Sequence, residues 1–506
     1  MNSINKYIAG VAMCSLMLIS ASCSDFLDVN EDPNNPTEVS EPLLLTGLLS
    51  NFTYQVLAGY PVRVTSTWVQ QQASNVVLPH YGIYDVDEND VNNTWTFYSY
   101  SNAMQNAKIL SESATKNQLY QYAGIAKIIW AWNMSIVTDL YGNAPFSQAL
   151  DPDNFPQPAY DPQVDIYSGI QEMLDQAIAD IDRTDGLSTF VPGADDLVYG
   201  GNMDGWKKLA YLLKARFHMR LSYAPGFTAT TQADLALAAT TNSFTSNLDN
   251  TTYSYLDEAG QENPWFQYTI DGKWNTDQQI SEYFINSLIL NNDPRIYSIA
   301  GLDARGTGLF VGHPNGAPAA ADVSPIGSFY SAADADVIMA TYSEVKFIEA
   351  EAHLIKGSLA EAQTAYGTAL QASFDELSDD IAANAADPNN LSGASSDISG
   401  YLASNGTLNA NLNTAYRQVM QEKYVALFSQ FEVYNDWRRT GIPSLTVAQN
   451  AIIPSMTEPA MRFPYPSAEL NYNSANVNEQ GVPVGFAAVT ERVWWNSEPE
   501  NCTLCN

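Results

Sequence analysis

Apolar residues recur at helical spacing in eight long windows of this 506-residue chain, and this pattern restricts the fold more than any other feature. The segments between these windows are long and lack the pattern, and such loops usually carry function or short strands. The sequence therefore predicts a mainly α protein. The predicted helical windows are residues 41–59, 94–114, 117–141, 163–183, 204–223, 277–291, 341–375 and 411–438.

The clearest helical pair lies between Tyr342 and Leu370, where small residues and one aromatic ring fall at the positions typical of a tetratricopeptide hairpin. Small side chains let two helices approach closely, and a ring can cover them. We therefore expect a scaffold of stacked helical hairpins. The residues that carry this pattern are Ala352, Gly357, Ala362, Tyr366 and Ala369.

The amino terminus has the form of an export signal. One positive charge at Lys6 precedes an apolar run over 8–19, and Ser20, Ala21 and Ser22 lead to Cys23. This order predicts a lipoprotein signal peptide over residues 1–22 and acylation of Cys23, although ordinary cleavage after Ser22 also fits the small residues. Acyl chains would anchor the protein to a membrane.

Residues 23–42 are rich in turn formers and acids, which indicates a lipidated linker. We expect residues 43–506 to form a single body with long inserted loops at about 244–276 and 296–340. Near the carboxyl end, Cys502 and Cys505 form a Cys-x-x-Cys pair. Two further zinc ligands are missing nearby, so a small tail disulfide in an oxidising compartment is the interpretation that we favour.

The charge balance excludes nucleic acid as a partner. The chain has 56 acidic against 22 basic residues and a formal net charge of -34, whereas phosphate binding requires a basic surface. The sequence also lacks a nucleophile elbow, a phosphate-binding loop and a zinc-protease helix, and its four histidines are scattered. We predict no catalytic residue, metal or cofactor. A surface glycoside hydrolase remains an alternative because paired carboxylates could lie anywhere, and a structural surface lipoprotein is a third.

Two loop segments have the composition of a sugar-binding site, which combines aromatic rings with amide and carboxylate side chains. They are residues 75–95 and 253–275. The same rings could instead pin the loops onto the helices beneath them, which we prefer for Trp95, whereas both interpretations stay open for Trp265 and Trp274. The candidate ligand-binding residues are His80, Tyr81, Tyr84, Trp95, Trp265, Phe266, Tyr268, Trp274 and Asn275.

A set of short motifs is spread over nearly the whole chain in a fixed order. They are segments 25–30 after Cys23, 32–36, 139–146, 206–220, 293–295, 344–352, 422–428, 436–441 and 462–466 with Glu469. Each piece alone is weak, and their order makes them specific. Together they resemble the SusD/RagB family of outer-membrane nutrient-binding lipoproteins of Bacteroidetes, close to its second SusD-like branch.

The resemblance implies a right-handed stack of four tetratricopeptide-like hairpins with a loop-rich ligand-binding portion. It also implies a lipid on Cys23, exposure at the cell surface and a non-enzymatic role. The protein would capture an oligosaccharide, or in some members a peptide, and deliver it to a SusC-like TonB-dependent transporter. We expect the motif residues Asp436, Trp437, Arg438 and Arg439, together with Arg295 and Arg462, to be buried scaffold residues rather than ligand contacts.

Overall fold

The computed structural model describes residues 39–187, 190–271 and 277–505. The predicted signal peptide, Cys23 and most of the predicted linker lie outside the described residues. The described part is mainly α, as the sequence predicts. Its helices are α1 (Glu41–Asn51), α2 (Tyr60–Trp68), α3 (Gln105–Lys116), α4 (Tyr120–Tyr141), α5 (Gln163–Ile181), α6 (Met203–Arg220), α7 (Ala229–Thr240), α8 (Pro264–Thr269), α9 (Glu282–Leu290), α10 (Ile296–Ile299), α11 (Ser328–Ser331), α12 (Tyr342–Ile355), α13 (Leu359–Ala385), α14 (Ile398–Asn405), α15 (Leu412–Ala426), α16 (Glu432–Thr440), α17 (Ser467–Tyr472) and α18 (Ser474–Asn478).

The long helices stack in chain order. Helix α3 packs on α4, α4 on α5, α5 on α6 and α6 on α7, after which α7 contacts α12 and α12 contacts α13 and α15. Nearly every residue of α4 is buried, which is the expected result for a helix that is apolar all round. The stack therefore has the tetratricopeptide-like form that the sequence predicts.

The hairpin of α12 and α13 shows why these residues form paired helices. Thr341 caps the start of α12 through a hydrogen bond that its Oγ1 accepts from the Glu344 N–H at 3.2 Å. Gly357 ends the first helix with a φ of 75°, a left-handed conformation that favours glycine. The small residues Ala352 and Ala362 are fully buried, and Tyr366 packs in the same core cluster as Ala362.

Eight helices of the described part fall outside the predicted windows, namely α2, α7, α8, α10, α11, α14, α17 and α18. Helix α7 buries Ala233, Ala236 and Ala239, and a face made of alanine gives only a weak apolar signal in the sequence. The window at 277–291 is partly wrong, because its first residues form a strand. The strands are short and pair antiparallel, β1 (Gln72–Ser74) with β3 (Gln278–Ile280) and β2 (Thr251–Tyr253) with β4 (Val337–Ala340).

A buried network of ion pairs joins the helices. Arg220 on α6 bonds both Asp139 on α4 and Glu432 on α16, and Arg216 donates two hydrogen bonds of 2.7 Å to Glu344 on α12. Because a buried charge is costly unless it is paired, these contacts fix the helices relative to one another. Equal numbers of acids and bases belong to the network, namely Asp139, Glu344, Glu351, Glu432 and Asp436 with Arg216, Arg220, Lys423, Arg438 and Arg439.

The expected scaffold role of the motif residues is confirmed. Asp436, Trp437, Arg438 and Arg439 are all buried in α16. Arg295 is fully buried and contacts Asp293 and Glu422.

Arg462, which is also buried, donates to the backbone carbonyls of Tyr141 and Phe463. A planar guanidinium has five N–H groups and can satisfy several acceptors at once, which explains its use in place of lysine.

The carboxyl-terminal segment is fixed to the helical stack. A disulfide joins Cys502 and Cys505, whose Cα atoms lie 5.4 Å apart, as the sequence indicates. The Asn501 side chain donates to the Tyr223 carbonyl at 3.2 Å, and Arg417 on α15 donates to the carbonyl of Cys505.

One half-buried carboxyl group should make stability depend on pH. Burial raises the pKa of Glu376 on α13 from 4.5 to about 7, although a 3.0 Å hydrogen bond from Asn250 opposes this shift. The folded state then holds the proton more tightly than the unfolded state. The stabilising contribution of Glu376 to the folded state is therefore fully present below about pH 4.5 and is lost as pH rises to about 7.

Glu376→Gln keeps an oxygen that can accept from Asn250 but cannot ionise. We expect this change to raise the free energy of unfolding by roughly 1–3 kcal/mol at pH 8 and to leave it nearly unchanged at pH 4.5. Urea unfolding at both pH values measures this difference, with Asp375→Asn at the adjacent exposed position as the control. An equal effect of Glu376→Gln at the two pH values would contradict the assignment.

Candidate functional site

The two loop segments singled out in the sequence converge on one arginine. Arg63 of α2 donates to Asp277 Oδ2 at 3.0 Å, and the Tyr81 hydroxyl donates to the other oxygen of Asp277 at 2.9 Å. Tyr81 also accepts a 2.6 Å hydrogen bond from the Gln278 side chain. Asp277 thus connects the first loop to α2 and to the start of β3.

Tyrosine rings surround the Arg63 guanidinium. Its central carbon lies 4.2 Å from the centre of the Tyr268 ring, 5.6 Å from Tyr60 and 6.0 Å from Tyr81. Cations are attracted to the faces of aromatic rings at these distances. Arg63 therefore holds rings from α2, the first loop and α8 in one place.

Two more tyrosines extend this group. The Tyr54 hydroxyl donates to Gln267 Oε1 at 2.5 Å, and Tyr98 lies close enough to Tyr54 and Tyr268 to disfavour ionisation of both phenols. We call the whole group the arginine–tyrosine cluster. Its members are Tyr54, Tyr60, Arg63, Tyr81, Tyr98 and Tyr268, and each is half-buried.

Four phenols of the cluster, those of Tyr54, Tyr60, Tyr81 and Tyr268, remain neutral near pH 7. Burial raises the pKa of Tyr54, Tyr60, Tyr81 and Tyr268 above the ordinary value of 10. Burial alone would lower the pKa of Arg63, but Tyr81, Tyr268 and Asp277 outweigh it, so the guanidinium stays charged and is paired with Asp277. The cluster therefore offers ring faces, neutral hydroxyls and a neutralised ion pair.

Three of the predicted ligand-binding residues lie in the core. Tyr84 is 1% exposed, and Trp95 and Trp265 are each 3% exposed. Trp95 packs edge-on against Tyr141 with ring centres 4.9 Å apart, which agrees with the packing interpretation. The Tyr84 ring is likewise covered, because it packs against the Trp68 ring. The site that we describe does not include these three residues, because their rings are covered by the protein itself.

The other predicted residues lie nearer the surface. Tyr81 and Tyr268 belong to the arginine–tyrosine cluster, and Phe266 is half-buried on α8 two residues before Tyr268. His80 is exposed, and its Nδ1 lies 3.2 Å from Asp85. Trp274 and Asn275 lie outside the described residues.

Four members of the cluster were not predicted as site residues, namely Tyr54, Tyr60, Arg63 and Tyr98. Tyr54 and Tyr98 fall within windows that the helical periodicity assigns to the scaffold. Both lie in π-helical turns, Phe52–Leu57 and Thr94–Met104, which are rare and often occur at functional sites. Apolar periodicity does not distinguish such turns from an α-helix, so the sequence carried no clear signal for them.

Within the described ranges, no three histidine, cysteine, aspartate or glutamate side chains are placed to hold a metal ion. Glu349, which shares a helix with His353, pairs with Lys346 at 2.8 Å. In the same part of the chain, no helix has the length and apolar character needed to cross a bilayer.

The fold and this site together define a helical-repeat protein with a surface cluster of aromatic and hydrogen-bonding side chains. The model of the SusD-like family described as "Starch-binding associating with outer membrane" matches residues 33–466. The chain therefore belongs to the SusD-like family. No curated protein matches it.

Solved structures of SusD proteins share this fold. A SusD/RagB family protein from Bacteroides thetaiotaomicron is 23% identical, with a TM-score of 0.75 and coverage of 91% of this chain and 99% of that one. A putative outer-membrane protein from Bacteroides vulgatus, described as probably involved in nutrient binding, is 21% identical, with a TM-score of 0.73 and coverage of 91% and 100%. A chitin-binding SusD homolog from Flavobacterium johnsoniae is 22% identical, with a TM-score of 0.70 and coverage of 89% and 98%.

Proposed function

We propose that this protein binds an uncharged oligosaccharide at the arginine–tyrosine cluster and delivers it to a TonB-dependent outer-membrane transporter. The observation that carries the proposal is the convergence of three half-buried tyrosine rings on Arg63 from segments far apart in the chain, with Tyr54 and Tyr98 beside them. Such an arrangement has no catalytic group at its centre. It is suited to holding a ligand.

The chemistry of the cluster fits a sugar. Axial C–H groups of a pyranose stack on aromatic faces, and its hydroxyls exchange hydrogen bonds with phenols and amides. The Tyr98 hydroxyl makes no hydrogen bond to any described residue, and Gln267 adds an amide beside Tyr54. Because Arg63 is already paired with Asp277, the site has no free positive charge with which to favour an acidic ligand.

The relatives support a glycan as the ligand. The family description includes starch binding, and one of the similar structures is a chitin-binding protein. These ligands differ, so they support the class of polysaccharides rather than one polymer. The proposed place of action is the outer face of the outer membrane, with an acyl anchor on Cys23 and a SusC-like transporter as partner.

We propose that binding leaves the glycan intact, without catalysis. The carboxylate bonded to the cluster is that of Asp277, and both of its oxygens are engaged by Arg63 and Tyr81. Glycoside hydrolysis generally needs two carboxyl groups on either side of the scissile bond.

Affinity gel electrophoresis tests the proposed function. The protein from Ser24 onward is run in gels that contain soluble starch, glycol chitin, or other plant, host and microbial polysaccharides, with a gel without glycan as reference. We expect retardation by at least one neutral polysaccharide, which is recovered without shorter products. A mobility unchanged in every gel would contradict glycan binding, and released oligosaccharides would support a hydrolase instead.

A further inference from the structure

A second cavity with sugar-binding composition lies between α9 and α15. All the residues that line it follow β3 in the sequence. Its volume is about 480 Å³, within the range of small-molecule sites. The buried rings of Tyr366 of α13, Tyr401 of α14 and Tyr424 of α15 form its inner wall, and Tyr283 of α9 is the more exposed ring. None of these elements supplies a member of the arginine–tyrosine cluster.

The interior end of this cavity is polar and already ordered. The Tyr401 hydroxyl donates to Glu422 Oε1 at 2.6 Å, and Arg295 donates to the second oxygen of Glu422. Tyr366 donates to the Asn405 carbonyl at 2.9 Å, and Tyr424 donates to the Val69 carbonyl at 2.7 Å. These bonds hold the rings in place before any ligand arrives, and such preorganisation reduces the entropic cost of binding.

The outer part of the cavity has polar groups that are not used by the fold. The side-chain amides of Asn286, Asn291 and Gln421 line it, and none of them bonds a described residue. The half-buried Tyr283 ring lies beside them, and its hydroxyl is equally free within the described part of the chain. Amides donate and accept, as sugar hydroxyls do.

The charge of the cavity selects among ligands. Two carboxylates, Asp293 and Glu422, are paired with one guanidinium, that of Arg295. This excess of negative charge disfavours anions such as uronic acids. Leu288 and Val425 add apolar surface next to the amides. The lining thus combines the half-buried Tyr283 ring with free amides and no spare cation.

We propose that this cavity is a second binding site for neutral saccharides, of about the size of a disaccharide, and that it acts independently of the arginine–tyrosine cluster. The two sites would let one protein hold a polysaccharide at two points. Two linked binding sites raise the overall affinity for a long polysaccharide without new interactions at either site.

Saturation-transfer NMR tests the proposal with maltose, cellobiose, xylobiose and di-N-acetylchitobiose as separate probes. The measurement uses Tyr98→Ala/Tyr268→Ala protein, in which the first site is disabled. We expect transfer to at least one disaccharide, and at least a tenfold loss of that signal when Asn286→Ala/Gln421→Ala is added. The matched control is Asn471→Ala/Gln449→Ala, which removes two exposed amides elsewhere and should leave the signal unchanged.

Crystals of the unaltered protein soaked in the same four disaccharides give a second measurement that does not depend on how the variants fold. Saccharide density between Tyr283 and Gln421 is the expected result. An empty cavity with all four probes, or a transfer signal that survives Asn286→Ala/Gln421→Ala, would overturn the proposal. Neither outcome bears on the first site, which is tested by comparing the electrophoresis of the Tyr98→Ala/Tyr268→Ala variant with that of the unaltered protein.

Discussion

Arg220→Met should destabilise the protein by about 3–5 kcal/mol or prevent its folding. The guanidinium of Arg220 is fully buried between Asp139 and Glu432, and methionine fills a similar space without a charge. The change leaves two carboxylates in the core that have lost their shared partner. An uncompensated buried charge costs far more than the pair contributes, so the expected effect is large.

Urea unfolding followed by circular dichroism measures this effect. Arg305→Met is the matched control, because Arg305 pairs with Asp322 at the surface, with the arginine side chain 64% exposed. We expect the control to unfold at the wild-type urea concentration. If Arg220→Met also unfolds there, the buried network does not hold the helices together in the way that its geometry indicates. Arg220→Met with Glu432→Gln should recover part of the loss, since it removes one of the two stranded charges.

Tyr98→Ala/Tyr268→Ala should weaken binding of the retained polysaccharide by about 100-fold. Each ring is half-buried, so part of its surface remains open to a ligand, and loss of about 1.4 kcal/mol per ring corresponds to a factor of ten for each. Affinity gel electrophoresis over a series of glycan concentrations gives the two dissociation constants. The thermal unfolding midpoint should change much less than the affinity.

The control for this pair is Tyr472→Ala, which removes a tyrosine ring that is 78% exposed on α17. We expect wild-type retardation from it. Equal retardation of the double variant and wild type would place the glycan elsewhere, with the cavity between α9 and α15 as the next site to test. The double variant and Asn286→Ala/Gln421→Ala therefore separate the two sites.

Much of the fold could be predicted because its helices bury strongly apolar faces. The α12–α13 hairpin is confirmed residue by residue, from the buried Ala352 and Ala362 to the left-handed Gly357. The alanine-faced α7 was missed, since its buried residues differ little in hydrophobicity from its exposed ones. Strand β3 was taken for helix because three residues are too few to show an alternating pattern.

The site was harder to predict than the fold. Composition identified the two loops, and the structure brings Tyr81 and Tyr268 together, but composition cannot tell which rings face inward. Trp95 and Trp265 were candidates because of the composition of their loops, with packing preferred for Trp95, and a large ring is also valuable in the core. Arg63, at the centre of the cluster, lies between two predicted windows and becomes important only through contacts with residues far along the chain.

The bond between Arg63 and Asp277 joins residues 214 positions apart. A site closed by such a contact exists only when the whole chain between them has folded, so a ligand held there binds the native state and not the unfolded one. By mass action, a glycan at 100 times its dissociation constant would add about 2.7 kcal/mol to the free energy of unfolding. The melting temperature of the entire protein thus becomes a label-free reporter of occupancy, with which a library of glycans can be ranked before any affinity is measured.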